Sequence, residues 1–284
     1  MPTKEVSTTA IDKQSTISAM VLKEQDDLML VIMSYTDYPT LIRIQRVCTY
    51  WKWIIHRVIP SLLGNQKFLT NEELCYKIRE YCSTTNKVLY ADALARTYGW
   101  PIGRWDVSLV TDFMGAFENQ HDFDEDIGDW IMSNAKNLIA MFHGATSFNQ
   151  DLSRWQTSKV VNMGGMFRNA ISFNGNISTW VTSEVRFMDS MFCGAESFNR
   201  DISTWNTSKV AEMWNMFGGA RSFNQNISVW DVSHVEDMER MFCGATSFNQ
   251  DISSWDVSNV TDRDEMFNGA TLFNREFTPH FNNN

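Results

Sequence analysis

Carboxylates recurring at a fixed interval are the side chains whose type and spacing come nearest to a reactive array. Asp126, Asp151, Asp201 and Asp251 share one 25-residue step, with Asn176 and Asn226 in the intervening places. Aligned carboxylates are what a calcium ladder would use, but the glycine-rich repeat of such ladders is missing. A second series, Asn149, Asn174, Asn199, Asn224, Asn249 and Asn274, keeps the same step. It reads as buried amides that satisfy backbone groups in turns. Cys48, Cys75, Cys82, Cys193 and Cys243 include no CxxC pair and are odd in number, so they frame neither a zinc site nor a disulfide scaffold. Free thiols in a reducing compartment fit this usage. Cys193 and Cys243 share a repeat position with His143, Arg168, Gly218 and Asn268, a variable slot expected at the surface. His56, His121, His143, His234 and His280 fall at unrelated positions. There is no phosphate loop, HExxH, nucleophile elbow or dinucleotide fingerprint. The expectation is a protein that is not an enzyme and needs no cofactor and no metal.

The elements that position these residues are set by the period. Trp105, Trp130, Trp155, Trp180, Trp205, Trp230 and Trp255 lie 25 residues apart. Phe123 to Phe273 and the Phe of each Met-Phe pair, Phe142 to Phe267, keep the same interval. A period in this range marks a solenoid. Within one unit, Ser158, Val160, Met163, Met166, Phe167 and Ala170 read as an N-cap followed by the buried face of a helix. Gly194-Ala195 and its equivalents would end that helix. A short strand such as Asp201-Ile202-Ser203-Thr204-Trp205 would follow. One such unit cannot bury enough to order itself, whereas stacked copies share their faces.

The pattern MF-x-GA-x-SFN-x-DIS-x-W-x-x-S-x-V resembles the BspA-like leucine-rich repeats, also described as bacterial surface-protein or Mycoplasma-type repeats, over about 175 residues. The resemblance implies an α/β fold: a right-handed β/α solenoid of about seven coils, with interaction roles.

Four segments are expected: a polar tail at 1–24, an apolar helical block at 25–63, a connector and N-terminal cap at 64–99, and the array at 100–284. In the connector, Thr70 and Glu73 form a capping box and predict a helix over about 70–82. Lys87 to Tyr98 fits either a strand or a short helix. In the helical block, DLMLVIMSYTDYPTLIRIQRVCTYWKWII resembles an F-box through Ser34-Tyr35-Thr36-Asp37, Leu41, Val47-Cys48 and Trp51. It departs from that pattern where Asp26-Asp27 replaces Leu-Pro, and in the placement of Pro39. The resemblance implies docking on a Skp-type linker protein of a cullin ubiquitin ligase through Leu28, Val31, Ile32, Pro39, Leu41, Val47 and Trp51. The other reading of these helices is a plain cap on the end of the solenoid.

Charge narrows the partners. Residues 1–99 carry 12 Lys/Arg against 10 Asp/Glu, and residues 100–284 carry 12 against 24. An acidic array does not wrap nucleic acid. The N-terminus has no apolar h-region, and no run approaches a membrane span, so a cytoplasmic or nuclear protein without membrane contact is expected. The leading expectation is a substrate-recognition adaptor of an SCF-type ubiquitin ligase. Its target face would use the slot that varies between Ser (Gly128 before the first) and Trp: Asp129, Arg154, Thr179, Thr204, Val229 and Ser254. Drift at a tolerant surface position is the other reading of that slot. The alternative function is a surface or adhesin-type repeat protein whose N-terminal helices only cap the array.

Overall fold

The computed structural model describes residues 66–83, 94, 97–99 and 101–281. The F-box-like residues Leu28, Val31, Ile32, Pro39, Leu41, Val47 and Trp51 lie outside the described residues, as does the polar N-terminal stretch. The chain divides into two units, residues 1–64 with 86–101 and residues 65–85 with 102–284. The segment read as one connector is thus shared between them. In the first unit Leu94 and Tyr98 are buried.

The second unit opens with helix α1, Asn71–Ser83, where the capping box placed it. Thr70 Oγ1 accepts from the N–H of Glu73 at 3.2 Å, and the Glu73 carboxylate reaches back to the N–H of Leu69 at 3.2 Å. Leu74, Cys75, Ile78 and Tyr81 form its buried face. Asn71 Nδ2 donates to the Met114 carbonyl at 3.2 Å, so α1 covers the first coil of the array.

From there the chain stacks on itself with a step of 25. Parallel bridges join Asp112 to Asn137, Asn137 to Asn162, Asn162 to Phe187, Phe187 to Glu212, Glu212 to Asp237, and Asp237 to Asp262. These bridges lie in the stretch where a helix was expected, and no helix forms between residues 105 and 274. The apolar spacing that read as helical is produced by consecutive tight turns. The N–H groups of Met166, Arg168 and Ala170 donate three residues back, to Met163, Gly165 and Phe167. Those of Met163, Gly165, Phe167 and Asn169 donate to carbonyls 24 residues ahead, on Phe187, Asp189, Met191 and Cys193. Alternate amides therefore close the coil or join it to the next, which satisfies the backbone without a helix.

Two left-handed residues per coil enforce this path. One column holds Gly115, Ala140, Gly165, Ser190, Asn215, Arg240 and Glu265; the other holds Asn119, Gly144, Asn169, Gly194, Gly219, Gly244 and Gly269. A right-handed helix cannot pass through positive φ. The strand expected at Asp201–Trp205 is also a turn, closed by the Trp205 N–H on the Ile202 carbonyl at 3.1 Å.

The core is three aromatic ladders running along the stack. Phe142 and Phe167 stack at 5.5 Å, Phe148 and Phe173 at 5.9 Å, and Trp155 and Trp180 at 6.1 Å. Within a coil, Phe142 lies against Phe148 at 4.0 Å. A buried indole N–H needs an acceptor, and from Trp130 to Trp255 each finds one in the coil before: Trp180 Nε1 donates to the Leu152 carbonyl at 2.9 Å, and Trp130 Nε1 to that of Ile102 at 2.9 Å. Valine, methionine and isoleucine columns fill the remaining interior.

Candidate interaction face

The polar ladders are structural. The backbone N–H of Asn174 donates to Asn149 Oδ1 at 2.7 Å, and that of Asn199 to Asn174 Oδ1 at 3.0 Å, each side-chain amide bridging to the coil after it. These asparagines were expected to be buried. They are exposed or half-buried instead, because the amide must reach over the turn from outside to meet the N–H. In the aspartate series, Asp151 and Asp251 accept from the N–H of Ser153 and Ser253. The same two-residue Asx turn recurs where Asp231 accepts the N–H and hydroxyl of Ser233. Among the described residues no group of three or more His, Cys, Asp or Glu side chains could hold a metal ion.

The cysteine slot is less open than expected. Cys193 and Cys243 are half-buried, while Arg168 and Asn268 in the same slot are exposed. Burial pushes the Cys193 thiol upward, and raises the Cys75 thiol to about 11. Such thiols hold their protons at neutral pH and are poor nucleophiles.

The slot formed by Asp129, Arg154, Thr179, Thr204, Val229 and Ser254 is exposed in every coil. It lies in a turn between a buried aliphatic residue and the buried tryptophan, not on a strand. Its members form a column tied partly to itself. Arg154 pairs with Asp129 at 2.7 Å, and Thr204 Oγ1 donates to the Ser178 carbonyl at 3.0 Å. The ion pair is well exposed and contributes at most about 1 kcal/mol. Val229, 71% exposed, breaks the polar run.

A second variable surface lies on the bridged side. Phe113, Leu138, Met163, Met188, Met213 and Met238 point inward there, so the residues on either side of each face outward. One outward column is Asp112, Asn137, Asn162, Phe187, Glu212, Asp237 and Asp262; the other is Met114, Ile139, Gly164, Asp189, Trp214, Glu239 and Asp264. Phe187, Asp189, Glu212 and Trp214 are all half-buried. Burial raises the Asp189 carboxyl above its ordinary range, against its own backbone N–H. Glu212 is raised first by burial and then by the charges of Asp189, Asp237 and Glu236. Among the described residues neither carboxylate forms an ion pair. Helical reading of this stretch hid the surface. The signal that would have found it is the one used for the tryptophan-flanked slot: variable positions beside constant ones, here at a spacing of two.

At one end of the stack, Arg263–Asn268 and residues of the segment 275–281 line a groove of about 720 Å³. The Arg263 guanidinium lies over the Phe281 ring at 4.3 Å. Among the described residues no helix is long and apolar enough to cross a membrane.

A repeat-built array of this kind agrees with what the chain matches. It belongs to the family described as Mycoplasma protein of unknown function, DUF285, whose model matches residues 90–201 and again 175–281. The double match is that of a repeat-type family. No curated protein and no solved structure matches the chain.

Proposed function

We propose that this protein is a non-enzymatic protein–protein interaction module whose array, a right-handed solenoid, presents variable side chains on a rigid repeat. The observation that carries the reading is the contrast between columns. Core positions repeat nearly unchanged through the stack, while exposed columns differ in size and charge from coil to coil. A scaffold with fixed geometry and varied outward residues is what recognition of a protein surface uses.

The finer reading is a substrate-recognition adaptor of an SCF-type ubiquitin ligase, cytoplasmic or nuclear, with residues 25–63 docking a Skp-type linker protein and the array holding the target. It rests on the F-box resemblance of Ser34-Tyr35-Thr36-Asp37, Leu41, Val47-Cys48 and Trp51. A pull-down with a Skp-type linker protein tests it, comparing the 284-residue chain with a Leu41→Ala/Trp51→Ala variant whose folding is checked by circular dichroism. Retention of the wild type and loss of the folded variant is expected. A wild type that is not retained overturns the adaptor reading. The family match favours a second reading, a surface or adhesin-type repeat protein that binds an extracellular partner. In that case the linker is not retained, and the N-terminal helices only cap the array.

A further inference from the structure

On the bridged face, acid and aromatic side chains alternate in both directions at one place. Phe187 and Asp189 lie two residues apart on one coil, and Glu212 and Trp214 occupy the same places on the next. Phe187 is bridged to Glu212, and the N–H of Ser190 donates to the Trp214 carbonyl at 2.8 Å. Neighbouring coils of such a ladder lie about 4.8 Å apart. Each carboxylate therefore has an aromatic ring beside it along the coil and another across the stack.

The coil before contributes Gly164, whose absent side chain leaves room for Asp189. A Cβ there would meet Asp189 Oδ1 at 2.8 Å. The carboxylate thus leans into a notch, half out of water and with no cation on it. Next in the chain, the Ser190 hydroxyl is buried and has no hydrogen-bond partner. Asp237, one step beyond Glu212 in its column, adds a further negative charge.

Half-buried carboxylates crowded against each other lower stability unless a positive charge joins them. The nearest basic side chains by sequence, Arg186 and Lys209, are exposed; Arg186 makes no ion pair with either carboxylate among the described residues, and Lys209 pairs with Glu184 at 2.7 Å. Two aromatic faces beside two unpaired carboxylates form a complementary surface for a guanidinium. Its fork matches a carboxylate, its plane stacks on a ring, and its charge is attracted to the ring face within about 6 Å. An ammonium would satisfy the charge but not the planar stacking.

We propose that Gly164, Phe187, Asp189, Glu212 and Trp214 form a socket for an arginine side chain presented by a basic segment of a protein partner. The inference rests on the interaction reading and names the partner's chemistry. The acidic balance of the array, 24 Asp/Glu against 12 Lys/Arg, would draw such a segment towards the face.

The experiment is fluorescence anisotropy of the 284-residue chain with a labelled synthetic peptide of alternating arginine and serine, and with its citrulline counterpart, which keeps the shape and removes the charge. The arginine peptide is expected to bind with a Kd of about 10 µM, and the citrulline peptide at least about tenfold more weakly. An Asp189→Asn/Glu212→Gln variant and a Trp214→Ala variant should each weaken the arginine peptide about tenfold, while Asp251→Asn/Asp256→Asn, an equal two-charge change elsewhere on the array, leaves it within about twofold. The carboxylate variants are nearly isosteric and should melt no lower than wild type, so their loss of binding cannot be loss of fold. Equal weakening by all variants would show diffuse attraction to an acidic protein and overturn the socket. So would failure of the arginine peptide to bind at about 1 mM. Either failure, with the linker protein still retained in the pull-down, removes the socket and leaves the interaction reading standing.

Discussion

Positions 165 and 194 both hold glycine in the left-handed region, at φ 58° and 73°, for different reasons. Around Gly165 there is open space, the nearest atom to an added Cβ being Arg168 Cβ at 3.9 Å. Ala140, Ser190, Asn215, Arg240 and Glu265 occupy the same column elsewhere. At Gly194 an added Cβ would collide with Asn169 Oδ1, and its column contains only glycine and asparagine. Gly165→Ala should therefore cost about 1 kcal/mol, the strain of a left-handed alanine. Gly194→Ala should cost clearly more, since the same strain is joined by displacement of Asn169; urea denaturation of the two variants reads the difference. Charge at single residues sets the pH response. The Asp231 carboxyl is held below 3.8, first by the Ser233 hydroxyl and then by the Ser233 N–H. Its contribution is present above the unfolded pKa and is lost as pH falls through the lower folded one. Asp189 is raised, so its penalty is present above the folded pKa and is relieved as pH falls through it. Asp189→Asn should raise the melting temperature at about pH 7 by roughly 2 °C, with the gain vanishing below about pH 4. A gain that persists undiminished in acid would mean that the carboxylate is not the cause.

At the scale of the coil, the alternating amides divide the array into protected interior and open end. In the sixth bridged coil, the N–H groups of Met238, Arg240, Phe242 and Gly244 donate to Asp262, Asp264, Met266 and Asn268. In the last coil, the corresponding groups of Arg263, Glu265, Phe267 and Gly269 have no carbonyl partner among the described residues. The segment 275–281 begins the next coil on the other side only, where the Ile252 N–H donates to the Phe277 carbonyl at 3.3 Å. Amide exchange should therefore be fast at Arg263, Glu265, Phe267 and Gly269 and slow at Met238, Arg240, Phe242 and Gly244. Equal protection of the two sets would show that the end is covered. Arg263, in place of the buried Met238 of the coil before, suits an end exposed to water and discourages edge-to-edge pairing.

For the array as a whole, stability is carried by contacts between neighbours. Ring stacks and bridges join counterparts 25 positions apart, and the tryptophan hydrogen bonds, each reaching 28 residues back, recur with the same period. Deleting residues 158–182, one full period, keeps each of these registers, and the shortened protein should fold cooperatively with a smaller urea m-value. Deleting 158–181 instead moves every later side chain one place out of register. That variant should lose cooperative unfolding above the deletion. Equivalent behaviour of the two deletions would mean that the coils do not depend on one another.

The sequence by itself determined the period, the composition of each core column, the variability of the tryptophan-flanked slot, and helix α1 with its Thr70/Glu73 cap, because each of these is written in local chemistry or in direct repetition. It misread the backbone between Ser158 and Ala170. Apolar residues three apart fit both a helical face and a run of three-residue turns, and the choice depends on where alternate N–H groups find acceptors. Those acceptors lie 24 residues ahead in the chain, out of reach of any local pattern. Only the tertiary structure, by placing the next coil there, decided for turns. By doing so it turned Phe187, Asp189, Glu212 and Trp214 outward onto one face, where a helix would have scattered them around its axis.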